Sequence, residues 1–222
     1  MKSRSIARAR MGSTCRASLV ENPMERAIRI LRAGDYRRMP WKNGGGETIE
    51  IAVSPDGATL DNFDWRVSMA RVETDGPFSM FAGVDRTLAI LQGAGLSLAI
   101  SQHPAINVTM GAALLSFDAG AATQARLLGG PIVDLNLMTR RGRFSHRMTC
   151  INLADPTLLA VSAQETFLLA SDGGVAIETE AGVATLGPRD ALHGRAVRSN
   201  WRLTPEKPDR VYLLEIFELF DA

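Results

Sequence analysis

The stretch RTLAILQGAGLSLAI, Arg86–Ile100, decides the fold, because it recurs later in the chain as ETFLLASDGGVAIET, Glu165–Thr179. In both, an apolar strand runs into a glycine-containing turn and an alternating strand returns, which is the pattern of a β-hairpin. The same offset of 79 residues brings Val133–Met138 onto Tyr212–Phe217, and Thr109-Met110-Gly111 lines up with Thr185-Leu186-Gly187 after a shorter hairpin. Identity within each match is low. Four elements in one order at nearly constant offset nevertheless read as an internal duplication.

Outward from this repeat the chain is strands and turns. Thr48–Val53 alternates and stops at Ser54-Pro55-Asp56-Gly57, and Phe63–Ala70 alternates again. Further strands are expected at Ala113–Phe117, Thr157–Val161 and Val211–Phe217. Long helical periodicity is scarce, and 20 glycines with 10 prolines suit many tight connections. Duplicated hairpins of this kind build small antiparallel jelly rolls. The expected fold is therefore all-β: a double-stranded β-helix bicupin, with two cupin-like barrels in one chain. Residues 24–222 form that unit, divided near residue 147 into a first half carrying any ligand site and a second, structural half.

Bulk properties exclude several function classes. A net charge of +1 gives no long-range field toward nucleic acid or anionic membrane, and no apolar run reaches the length of a membrane span. Cys15 and Cys150 form no CxxC pair, which suits a reduced, cytoplasmic protein. Residues 1–23 are basic, with Lys2, Arg4, Arg8, Arg10 and Arg16, and hold no apolar core of a secretory signal. They read as an extension or a mis-assigned start.

The usual chemical motifs are missing. Cupin enzymes hold a metal with a His-x-His pair on one strand, whereas His103, His146 and His193 are isolated from one another. His146 falls in Arg140–Arg147, which reads as a solvated basic loop. No nucleophile elbow or phosphate loop is present, and Gly44-Gly45-Gly46 runs into a strand rather than a helix. No cofactor or metal is expected.

The informative segment is Met39-Pro40-Trp41-Lys42-Asn43-Gly44-Gly45-Gly46-Glu47-Thr48. Consecutive glycines let other groups approach the backbone, Trp41 offers a flat wall, Lys42 a charge, and Asn43 both donor and acceptor. The segment reads equally as a binding loop and as a surface turn with Trp41 plugging a barrel. Trp41–Gly46, Phe63–Ser68, Asp75–Ser79, Asp85–Leu88 and Gly130–Met138, in this order, resemble the HutD/Ves family over about Ile28 to Phe220. The resemblance implies a bicupin, in agreement with the repeat. It also implies an association with histidine utilisation, as a binder of a small pathway metabolite with no established enzymatic activity.

Alternation adds a location. Asp64, Arg66 and Ser68 share one face of their strand, Asp134, Asn136 and Met138 share another, and Thr48 and Glu50 oppose Ile49, Ile51 and Val53. These polar faces line a wet cavity or meet solvent; the resemblance favours the cavity. The candidate ligand residues are Trp41, Lys42, Asn43, Arg66, Ser68, Phe78, Ser79 and Asn136, with no catalytic set. Arg66 and Lys42 would take a carboxylate such as urocanate, formylglutamate or formate. Asp64, Glu50 or Asp134 would instead neutralise Arg66 internally; the sequence leaves these open. An enzyme using Glu50 or Asp134 as base, or an unusual metal site, is the rival reading, and a homodimer is a further expectation.

Overall fold

In the computed structural model, residues 28–111 and 113–220 are described, so Cys15 and the extension at residues 1–23 lie outside the described residues. Three strands lead in: β1 (Ile28–Leu31), β2 (Arg37–Pro40) and β3 (Gly46–Ser54). Eight follow as β4 (Trp65–Val72), β5 (Gly76–Pro77), β6 (Val84–Gln92), β7 (Leu96–Ile100), β8 (Ile106–Val108), β9 (Leu115–Asp118), β10 (Thr123–Leu127) and β11 (Ile132–Arg140). Eight more repeat them: β12 (Phe144–Leu153), β13 (Thr157–Val161), β14 (Glu165–Ala170), β15 (Val175–Thr179), β16 (Gly182–Leu186), β17 (Ala191–Arg195), β18 (Ser199–Pro205) and β19 (Asp209–Glu218).

The sheets show the duplication directly. The order β5-β10-β7-β8 in one half is matched by β13-β18-β15-β16 in the other. Within the larger sheets, β4-β11-β6-β9 is matched by β12-β19-β14-β17. The chain is thus two jelly rolls, as the repeat requires. The leading strands are shared out: β2 and β3 extend the first large sheet, while β1 pairs with β17 of the second half. The halves meet at the Arg141–Arg143 turn, because Phe144–Leu153 is one continuous strand paired with β19.

The two large sheets pack face to face. Trp65, Val67, Met69, Leu135 and Leu137 from the first meet Met148, Phe167, Leu214 and Ile216 from the second in one core. Sheets packed in this way interdigitate the side chains of their inner faces. Trp65 and Phe167 touch edge to face at 5.6 Å between centroids, and His193 stacks on Phe167 at 4.2 Å.

Two expectations change here. The basic segment Arg140–Arg147 is not a solvated loop: its second part opens β12, and His146 turns into the space between the halves. There it contacts Thr139 Oγ1 at 2.6 Å and Thr87 Oγ1 at 2.8 Å, and burial lowers its pKa. The alignment of Arg86 with Glu165 also slips by one residue. Thr87 stands opposite Leu137 and Glu165 opposite Ile216, and these two partners are themselves equivalent. The cause is the turn, three residues between β6 and β7 but four between β14 and β15. A one-residue slip exchanges faces. Arg86 accordingly points into its barrel, while Glu165 faces the inter-half core and contacts His193 at 2.6 Å.

Candidate functional site

The first barrel is hollow and the second is filled. The second barrel packs Trp201, Leu168, Ile177, Leu186 and Leu203 into its lumen. Thr123 stands where Trp201 would stand and Ala125 where Leu203 stands, because Ala125 pairs with Leu98 as Leu203 pairs with Ile177. Trp201 is 0% exposed. Two large side chains thus become two small ones, and Ala125 lines a cavity of about 540 Å³.

All eight residues singled out from the sequence line this one cavity. Arg66 and Ser68 reach it from β4 and Asn136 from β11, on the polar faces that alternation marked. Trp41, Lys42 and Asn43 come from the β2–β3 turn, and Phe78 and Ser79 from the segment after β5. Lys42 and Ser79 are exposed at the mouth beside Leu60, and next to Ser79 stands Met80, itself 65% exposed. Ser68 is buried and lines the cavity.

The Trp41 turn is built from its glycines. Gly44 has φ +71°, in the left-handed region that favours glycine. A Cβ on Gly46 would lie 2.0 Å from the carbonyl oxygen of Arg71, so only glycine lets β3 close on β4 there. Asn43 Oδ1 accepts the Gly45 N–H at 3.1 Å and the Trp41 ring N–H is held by Thr48 Oγ1 at 2.9 Å. Asn43 is therefore partly spent on shaping its own turn.

The three candidates for neutralising Arg66 separate clearly. Glu50 accepts from Arg66 Nε at 2.8 Å. Asp64 turns away to Arg143. Asp134 accepts the Ala70 N–H at 3.2 Å and the Asn136 Nδ2–H at 2.7 Å. Glu50 keeps its lumen position, but the register shifts between Glu50 and Ala52. Past that bulge Val53 changes sides and packs against Phe63 and Met138 rather than with Ile49 and Ile51.

Arg86 is a charged cavity residue that the sequence did not mark as a ligand contact. It is buried, donates from Nε to Asn136 Oδ1 at 2.8 Å and from Nη2 to the same oxygen, and lies over the Phe78 ring at 4.3 Å. Its place in Asp85–Leu88, one of the five motifs that carry the family resemblance, was the available signal. Asn136 stands between Arg86 and Asp134, accepting from one and donating to the other. Burial lowers the Arg86 pKa to about 10, which leaves it charged at neutral pH. Burial raises the Asp134 carboxyl to about 6, with Arg86, Asn136 and the Ala70 N–H opposing. Asp134 Oδ2 is buried without a partner.

Two guanidinium groups therefore face one cavity with donors to spare. Neither Nη of Arg66 nor Nη1 of Arg86 meets an acceptor among the described residues, and both side chains line the cavity. Among the described residues no group of three or more His, Cys, Asp or Glu is placed to hold a metal ion. No helix among them is long and apolar enough to cross a membrane.

The family model described as HutD matches residues 33–213. An uncharacterised 21.2 kDa protein from the hutC 3′ region of Pseudomonas putida is 42% identical over 147 residues, which is 64% of this chain and 72% of that protein. A conserved protein of unknown function from Pseudomonas aeruginosa superposes with a TM-score of 0.81 at 34% identity, over 86% of this chain and 98% of its own. HutD from Pseudomonas fluorescens, whose structure is described as a formate condition, superposes at 0.75 with 31% identity, over 87% of this chain and all (100%) of its own.

Proposed function

Since the chain belongs to the HutD family, we propose that its first barrel binds a small carboxylated metabolite and that the protein moderates histidine utilisation through that binding. The observation that carries this reading is the pair of arginines with open donors on one shielded cavity. Charge-assisted hydrogen bonds from a guanidinium to a carboxylate are among the stronger polar contacts, and a walled site weakens their competition with water. Trp41, Phe81 and Met138 supply apolar walls, and Ser68 a neutral hydrogen bond. The volume holds about 18 water-sized units, so formate alone leaves most of it unfilled, whereas an acid the size of urocanate occupies a large part.

A catalytic reading has one observation in its favour, the raised pKa of Asp134. Its geometry is against it: Asp134 Oδ1 is taken by the Ala70 N–H and the Asn136 amide, and Oδ2 is buried, whereas a base must reach the ligand proton directly or through one water.

Calorimetry with urocanate, formylglutamate and formate tests the binding reading. The wild type is expected to bind at least one of them, and Arg66→Ala and Arg86→Ala each to weaken it by tenfold or more. Silence of the wild type toward all three overturns the reading.

A further inference from the structure

Resting on the carboxylate reading of this cavity, we infer that the site takes a monocarboxylate together with one proton, which is held on Asp134, and discriminates against dicarboxylates. The argument begins with the charges that line or support the cavity. Lys42, Arg66 and Arg86 stand against Glu50, Asp75 and Asp134. Glu50 is bonded to Arg66, and Lys42 and Asp75 both lie at the exposed mouth. Deep in the cavity this leaves Arg86 and Asp134 alone to balance each other.

They do so indirectly. Asn136 occupies the place between them: its carbonyl oxygen takes both Arg86 N–H groups and its amide donates to Asp134. The open side of Arg86 faces the cavity, and there a ligand carboxylate comes to rest. The interior then holds two carboxylates for one uncompensated guanidinium. Like charges in a shielded site disfavour a second ionisation. Asp134 is the partner that yields, since it is wholly buried, its Oδ2 has no donor, and its pKa is already raised.

The elements around Asp134 offer no uncompensated positive charge for the second carboxylate. β4 contributes Arg66, already bonded to Glu50 of β3, with Ser68 and Ala70 beside it. β6 contributes Arg86 and Ile90. Across the lumen β7 and β10 present Leu96, Leu98 and Ala125. A single negative charge arriving with a proton leaves the cavity balanced; a dianion adds a charge with no counterpart except Lys42 at the mouth. The proton moves from solvent to Asp134, and no covalent bond in the ligand changes.

Formate and glutaramate, the monoamide of glutarate, serve as monoanions and glutarate as the shape-matched dianion. Titration calorimetry at pH 7.5 in two buffers of different ionisation enthalpy counts the protons taken up. The wild type is expected to take up close to one proton per monoanion, with affinity falling by up to about tenfold per pH unit above the Asp134 range. Glutarate is expected to bind at least tenfold more weakly than glutaramate. Asp134→Asn is expected to bind the monoanions without proton uptake and with affinity flat from pH 6 to 8; circular dichroism checks that it folds. Binding by the wild type without proton uptake, equal affinity for glutarate and glutaramate, or an unchanged pH dependence in the variant each overturns the inference while leaving the carboxylate site standing. Failure of the wild type to bind any of the three acids overturns the site itself.

Discussion

Replacing Asp134 by asparagine removes a charge that the fold keeps at a cost, so the variant is expected to be more stable than the wild type at high pH. The carboxyl is wholly buried and its pKa rises from 3.8 to about 6. At about 1.4 kcal/mol per pH unit, the full cost of ionising Asp134 in the native state is about 3 kcal/mol. Below pH 3.8 the acid is neutral in both folded and unfolded chains and contributes no difference. Between 3.8 and about 6 the unfolded chain releases its proton first, so wild-type stability falls as pH rises; above that window the full cost is in place. Asparagine has the same shape, keeps an acceptor for the Ala70 N–H and Asn136 Nδ2–H, and does not titrate. A gain of about 3 kcal/mol corresponds to a rise in Tm of roughly 6–12 °C for a chain of this size. Urea unfolding of both proteins from pH 3.5 to 8 measures it. A variant less stable than wild type at pH 8, or one whose advantage is the same at every pH, would show that Arg86 holds Asp134 ionised and refute the reasoning.

Three further substitutions concern how the cavity exists. Trp201→Thr in the second barrel is expected to cost about 3–5 kcal/mol, as for other large buried aromatics cut back, whereas the converse Thr123→Trp fills the first barrel and is expected to abolish carboxylate binding in a protein that still melts cooperatively. Calorimetric binding by Thr123→Trp at wild-type strength would place the site elsewhere. Gly46→Ala puts a methyl group against the Arg71 carbonyl and is expected to destabilise by more than about 1 kcal/mol. Because a Gly46 Cβ would also lie 3.2 Å from the Trp41 ring, the displacement is expected to appear in tryptophan fluorescence; an unchanged spectrum and midpoint would contradict the close approach.

Legibility from sequence followed the range of the physics. Strands with clear alternation, such as Phe63–Ala70 and Val133–Met138, were readable because side-chain direction along a strand is local, with a period of two. The strands that went unread had weak patterns: β12 carries Ser145, Arg147 and Thr149 exposed on one face, and its other face includes His146, so its turn-proximal half resembles a loop. The polar faces were also readable as faces, though not as walls of a cavity.

By itself the sequence determined the duplication, the all-β class, and which residues of β4 and β11 point to one side. Only the tertiary structure decided that Glu50 rather than Asp64 or Asp134 pairs with Arg66, and that Arg86 enters the site while Glu165 does not. It also decided that Ala125 lines an open cavity where its counterpart Leu203 packs with Trp201 in a filled barrel. The reason is register. Alternation fixes each side chain against its own strand, but a partner is fixed by how neighbouring strands align, and one bulge or one extra turn residue moves that alignment by a full face.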